Sequence, residues 1–221
     1  MFSKKVLLPI SILILLLFIF FSYLVAKESF TQVDFDTTVK LQDRISNRWD
    51  LPFSVLSVIG SVEITGLIWL VILVVILIKR YWLTVFTLPS FFVALAIEVY
   101  GKVFVHHPGP PYLFYRGVID FNFPSHFVQT DYSYPSGHMT RTAFLVSFLF
   151  LFLQYKFPKW FSVWIQLGLM GFLGLMVVSR VYLGEHWLSD VIGGLLLGSS
   201  FGILSGLTIP LKRKEQVSQT E

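Results

Sequence analysis

Ser179-Arg180-Val181-Tyr182-Leu183-Gly184-Glu185-His186-Trp187-Leu188-Ser189-Asp190 lies between two very apolar segments and sets an arginine, a histidine and an aspartate at fixed spacing. A second polar island, Pro135-Ser136-Gly137-His138, lies upstream between two more. Titratable groups at the edge of hydrocarbon are costly and are usually kept for function. The two islands supply a cation suited to anions, a histidine with a carboxylate beside it, and a second histidine. That inventory suits phosphoryl transfer at a membrane.

The rest of the chain fits this setting. Of its 221 residues 55% are hydrophobic and only 14% charged, and the mean hydropathy is +0.72. A soluble domain carries more charge. About six apolar segments stand out, several long enough for a ~30 Å hydrocarbon core: Val6–Ala26, Leu56–Ile78, Trp82–Tyr100, Met139–Tyr155, Trp160–Val178 and Trp187–Ile209. The fourth is short. The second contains Glu63, so its first part is expected to lie on the surface or re-enter. Lipid obliges each span to satisfy its own backbone, so all should be helices. The expected fold class is all-α: one integral membrane helical bundle with about six transmembrane helices over 1–221, with a disordered tail at 211–221. The first segment follows Lys4-Lys5 but is longer than a signal core, with no clear cleavage site, and reads as a retained helix. The chain has no cysteine, which excludes disulfides, thiolate nucleophiles and cysteine-held metals.

The net charge of +4 is not a nucleic-acid signal, because the charges are sorted by connection. Lys4-Lys5, Lys79-Arg80, Lys156 with Lys159, and Lys212-Arg213-Lys214 flank alternate ends of the spans, while nearly all Asp and Glu fall in the other connections. The positive-inside rule then puts both termini in the cytoplasm and 27–55, 101–138 and 179–186 on the extracytoplasmic face of the cell membrane. Both islands fall on that one face. In 27–55, Val39, Leu41, Ile45 and Trp49 recur at roughly helical spacing, which predicts an interfacial helix acting as a packed cap without chemistry. Connection 101–138 is rich in Pro and aromatics and reads as a lid or as interfacial rings. Its Asn122-Phe123-Pro124-Ser125-His126 resembles the Pro135 island without the glycine and is taken as loop. Gly194, Gly198, Gly202 and Gly206, at intervals of four, predict close helix packing.

Ser136-Gly137-His138 stands where a loop should enter the fourth helix. Glycine allows close backbone approach, and the hydroxyl with the first free N–H groups of a helix makes an anion site. Arg180 adds a planar charged fork suited to phosphate, and Lys102 can add a point charge from the same side. His186 and Asp190 are four apart at the start of the last helix and share a face. A carboxylate on one imidazole nitrogen fixes the tautomer and makes the other a better nucleophile or base. His138 is then free for a general-acid task. A lone His/Asp pair would be read as a helix cap, but Arg180 and the second island on the same face argue for a site. The donor set makes no convincing metal cage, and no cofactor is expected.

These motifs resemble the type 2 phosphatidic acid phosphatase superfamily. Ser-Arg-x5-His-x3-Asp at 179–190 and Pro-Ser-Gly-His at 135–138 are similar to two of its three signatures, and the six-span layout extends the likeness over most of the chain. The resemblance implies a helical bundle with the site near the extracytoplasmic surface. It implies His186 as nucleophile, Asp190 as its orienter, His138 as the acid, and Ser136, Gly137 and Arg180 as phosphate binders. The remaining signature, Lys-x6-Arg-Pro, is kept at Lys102 and Pro110, but Gly109 stands in the arginine's place. His107, Arg116 or Arg141 is expected to replace that charge. Arg141 is the best placed, three residues after His138. Glu98, four before Lys102, is expected to steady it.

The resulting expectation is an integral membrane, metal-independent phosphatase acting on a lipid phosphate or diphosphate through a phosphohistidine. Its partners are a phosphorylated lipid and the membrane, with no nucleic acid, and no feature fixes an oligomeric state. The alternatives are a phosphotransferase of the same superfamily and an inactive lipid-binding or transport relative, the latter suggested by Gly109.

Overall fold

The computed structural model describes residues 3–119, 130 and 132–211, and their regular structure is helical. The echo at 122–126 and the tail from 212 lie outside the described residues. Helix α1 spans Lys4–Ala26, α2 Thr31–Arg44, α3 Asp50–Ile59, α4 Val62–Ile78 and α5 Trp82–Thr87. Helix α6 spans Ser90–Phe104, α7 Gly137–Lys156, α8 Val163–Tyr182 and α9 Leu188–Gly206.

Four stretches are long and apolar enough to cross a membrane by themselves: Lys4–Ala26, Trp82–Phe104, Val163–Tyr182 and Leu188–Gly206. The pair Asn47–Ile59 and Val62–Ile78, bent by 49°, makes a fifth. The bend falls at Gly60-Ser61, where the Ser61 hydroxyl accepts from Ile64 N and starts α4 afresh. The bend sets α3 apart from the rest of the second expected span, which fits either a broken span or a re-entrant piece. The sixth expected span, α7, is equally long but less apolar, with His138, Thr140, Arg141 and Thr142 in its first turns. Helices around it shield it from lipid: Met139 through Val146 are all buried, so it has no need to be apolar all round.

Between helices in lipid there is little hydrophobic drive, and close packing decides. Helix α9 lies on α7 through the glycine stripe. A Cβ at Gly194, Gly198 or Gly202 would run into the carbonyl oxygens of Ser136, Thr140 and Phe144, so the stripe is the contact the spacing predicted. Helix α1 packs its heptad-spaced Leu7, Ser11, Phe18 and Val25 inward and leaves Leu13, Leu16 and Phe20 outside. Rings fill the far end, with Phe91 edge-on to Phe144 at 5.2 Å. There Lys4 Nζ bonds Ile209 O, and Lys156 lies 4.2 Å over the Tyr81 ring. The basic connections gather at that end. The polar islands gather at the other, where α6 and α8 finish and α7 and α9 start.

The expected helix in 27–55 exists as α2. Leu41 packs against the cluster of Met139, Ala143 and Met176, and Ile45 against Phe53 and Tyr182, while Trp49 lies beyond the helix and half exposed. The buried residues of α2 are nonetheless polar, Asp34 and Thr38, and Asp34 docks the helix on the start of α9. It accepts from Ser189 N at 2.8 Å and from Ser189 Oγ at 2.7 Å.

Candidate active site

The turn from α8 to α9 is set by Gly184, at φ +65, where a side chain would meet the Phe114 backbone. The amides of Glu185 and His186 fold back on Arg180 O at 3.2 and 3.3 Å. Trp187 then starts α9, and its N–H donates to Asp190 Oδ2 at 3.0 Å. A carboxylate three residues into a helix is well placed for this. The same oxygen lies 3.4 Å from His186 Nδ1. The pair is therefore in contact, although His186 stands in the turn before α9 and not on a face of it as the spacing predicted.

The two islands are tied through the backbone, with Ser136 N donating to Asp190 O at 2.9 Å. Ser136 is fully buried and its hydroxyl has no partner. Gly137 starts α7 against Glu98, whose carboxylate fills the space a Cβ would need. Glu98 is 4% exposed and joins two cations, Lys102 Nζ at 3.1 Å and Arg141 at 3.4 Å. Arg141 also donates to Gly60 O at 3.5 Å, while its Nε has no partner. The His138 ring sits within electrostatic reach of Arg180, Arg141, His186 and Lys102. It also lies against Gly60, where a Cβ would come within 3.0 Å of its Cδ2.

Arg180 is fully buried. One terminal nitrogen donates to Ser57 Oγ at 2.6 Å and pairs with Glu185, and Ser57 donates in turn to Glu185 Oε1 at 3.0 Å. Its Nε and other terminal nitrogen have no partner among the described residues. The three residues considered in place of the missing arginine separate clearly. His107 Nε2 lies 3.4 Å from Asp190 Oδ1, 3.7 Å from Asp34 and 3.1 Å from Ser189 Oγ, so it serves the carboxylates. Burial pushes the Asp34 carboxyl above its ordinary range, against the opposing bonds from Ser189. Arg116 lies over the Tyr182 ring at 5.3 Å and donates to Asn47 and the Tyr182 hydroxyl. Only Arg141 is beside His138. Position 109 itself lines a cavity of about 410 Å³ with His107, Asp34, Phe35, Phe114 and Trp187. A Cβ there would be 3.5 Å from Ser133 Cβ, an ordinary contact.

Sequence reasoning missed Ser133, Ser57, Glu185, Gly60 and Asp34. Ser133 Oγ stands 2.6 Å from Asp190 Oδ2 and 2.9 Å from His186 Nδ1. Its only signal was a place two residues before Pro135. Ser57 and Asp34 reach the site from 123 and 155 residues away, at Arg180 and Ser189, and helix spacing carries no such signal.

Fold and site together define an integral membrane helical bundle with buried cations beside a histidine–aspartate pair. The chain belongs to the PAP2 superfamily, which matches residues 69–214. It is similar to the undecaprenyl-diphosphatase of Sulfolobus acidocaldarius, 47% identical over 91 residues, 40% of each chain. It also resembles the putative undecaprenyl-diphosphatase YbjG of Escherichia coli, 35% identical over 53% of this chain and 54% of that one. The phosphatidylglycerophosphatase B of Bacillus subtilis is 33% identical over 40% of this chain and 45% of its own. The chain thus spans about half the length of the curated relatives it matches. In fold it is similar to the crystal structure of a transmembrane PAP2 type phosphatidylglycerolphosphate phosphatase from Bacillus subtilis. That match has a TM-score of 0.72 at 17% identity, over 88% of this chain and 93% of that one.

Proposed function

We propose that the chain is a lipid phosphate phosphatase with His186 as its nucleophile. The observation that carries this reading is Arg180, fully buried, with one nitrogen fixed by Ser57 and Glu185 and two nitrogens idle. A buried guanidinium with unused donors is costly unless an anion takes them, and a planar fork matches phosphate oxygens. The idle Ser136 hydroxyl and the first amides of α7 add donors of the kind a helix start offers an anion.

The reaction runs in two in-line steps. His186 Nε2 attacks phosphorus, the bond from phosphorus to the leaving oxygen breaks, and His138 gives that oxygen its proton. Water then attacks the phosphohistidine and loses a proton to His138. The phosphorus–nitrogen bond breaks, releasing inorganic phosphate and free His186. Arg180, Lys102 and Arg141 balance the charge on the equatorial oxygens, where positioning and electrostatics supply most of the acceleration. Asp190 holds the imidazole and stabilises its positive charge. No metal takes part.

A lipid substrate is supported by an apolar cavity of about 170 Å³ among α3, α4, α7 and α8, lined by Ile59, Ile68, Ile72, Leu145 and Leu169. Thr142, one helical turn from His138, also lines it. A hydrocarbon tail in this cavity would run beside the phosphate site. The relatives direct the choice to a polyprenyl diphosphate or phosphatidylglycerol phosphate, with phosphatidic acid as the third member of the class. The basic connections at the opposite end support an extracytoplasmic site by the positive-inside rule. The test is phosphate release from these three lipids by the purified full chain in detergent with EDTA. Release from one or more, undiminished by EDTA, is expected. Release from none contradicts the activity, and loss of release in EDTA contradicts the metal-free mechanism.

A further inference from the structure

Asp190 is not the closest partner of His186. Its Oδ2 lies 3.4 Å from His186 Nδ1, a long contact, and already takes Trp187 N–H at 3.0 Å. Ser133 Oγ lies between them, 2.6 Å from the carboxylate oxygen and 2.9 Å from the imidazole nitrogen. A hydroxyl has one proton, and an ionised carboxylate can only accept. The shorter bond therefore takes the serine proton, as charge-assisted bonds do. Towards His186 the serine oxygen can then only accept, so the proton on the ring must sit on Nδ1. Nε2 is left with its lone pair free.

We infer that Ser133 is a positioning residue that fixes the His186 tautomer, passing the pull of Asp190 to the imidazole through its hydroxyl. The backbone holds it there. Ser133 N donates to His107 O at 3.0 Å and Tyr132 N to Lys102 O at 3.2 Å, which lays 132–133 along the end of α6 and the segment after it. On the other side Ser136 N is fixed to Asp190 O, and the Tyr134 hydroxyl is tied to Ser22 at 2.8 Å. Ser133 is 9% exposed, so little water is at hand to replace its oxygen. The three-membered chain ties the segment just before the Pro135 island to the Ser179–Asp190 island through side chains, beside the backbone bond of Ser136.

The inference rests on the reading of His186 as nucleophile, and its test has an arm that needs no turnover. In the full chain, labelled with 15N-histidine in detergent, long-range proton–nitrogen correlations report which ring nitrogen carries the proton. The chain has five histidines, and His186→Gln assigns the signal. His186 is expected as the Nδ1–H tautomer, and Ser133→Ala should shift population to Nε2–H. In the kinetic arm Ser133→Ala should lower kcat about 10- to 100-fold with KM little changed, as when an outer partner of a functional histidine is removed. Ser133→Thr keeps the hydroxyl, and Gly109 leaves space beside the Ser133 Cβ, so it should stay within a few-fold of the parent in rate and keep the parent tautomer. In an Asp190→Asn background, Ser133→Ala should add far less than it costs alone, since members of one chain are not additive. An unchanged His186 tautomer in Ser133→Ala overturns the inference, as does an Nε2–H tautomer in the parent or in Ser133→Thr. An Nδ1–H tautomer in the parent that shifts in Ser133→Ala, with no phosphate released by the parent, overturns the proposed activity and leaves this inference standing.

Discussion

Gly109 is where the chain departs from its family's signature, and the structure turns that departure into a measurable difference. The position faces Ser133 across ordinary van der Waals distance and opens on a cavity, so a longer side chain has room. Arg141 is the cation proposed to stand in, held near His138 by Glu98 and Gly60. Arg141→Ala should lose about 2–4 kcal/mol of transition-state stabilisation, by analogy with removal of one preorganised donor. Gly109→Arg should fold normally and restore part of that loss in the double variant. kcat/KM of the four proteins checks this, and a near-parental rate for Arg141→Ala would eliminate the role. At this scale the sequence shows what lies within one helical turn. Glu98 with Lys102 was legible because both sit on one face of α6, four apart, and His186 with Asp190 because the same spacing spans the turn before α9 and its first turn. Ser57, Asp34 and Ser133 were not, because their partners come from other connections and only the tertiary fold brings them near.

Helix α9 shows how an element can be read from small residues alone. Four glycines at intervals of four predicted the closely packed face of an apolar helix, and three of them meet the backbone of α7 or its cap, the fourth the Leu151 side chain. A Cβ at Gly198 would drive into Thr140 O, whereas one at Gly171 on α8 meets nothing within 4 Å. Gly198→Leu should therefore sharply lower the thermal midpoint in detergent. Gly171→Ala should leave it unchanged or raise it, since alanine is favoured over glycine in a helix by about 1 kcal/mol. Equal midpoints for the two variants would contradict the packing. Helix α2 taught a different lesson. Its apolar spacing announced the helix, and Leu41 and Ile45 do pack inward, but it gave no sign of Asp34, whose bonds to Ser189 add a polar anchor. The bend at Gly60 was foreshadowed by Glu63, but its contact with His138 was not, because a glycine carries no pattern of its own.

For the whole molecule, the sorting of charge among connections matched the geometry at the level of ends. Lys4, Arg80 and Lys156 gather around Tyr81 and Ile209 at one end, and the site residues occupy the other. The proposed orientation predicts that a cysteine at Tyr112, which is 87% exposed, reacts with an impermeant thiol reagent in intact cells. A cysteine at Lys79 should be shielded until the membrane is opened, and the reverse labelling pattern would invert the orientation. The apolar pattern marked α7 too short, from Met139 to Tyr155, because a helix enclosed by others can carry polar groups that lipid would not tolerate. Those groups include His138 and Arg141 of the candidate site. That the site transfers phosphorus to His186 is the central claim, and rapid chemical quench with a lipid diphosphate labelled at its terminal phosphate tests it most directly. The account predicts a transient, acid-labile and base-stable phosphoenzyme mapped to His186 and absent from His186→Gln, which should also release no phosphate. Phosphate release by His186→Gln near the parental rate, or a phosphoenzyme mapped to another residue, would contradict it.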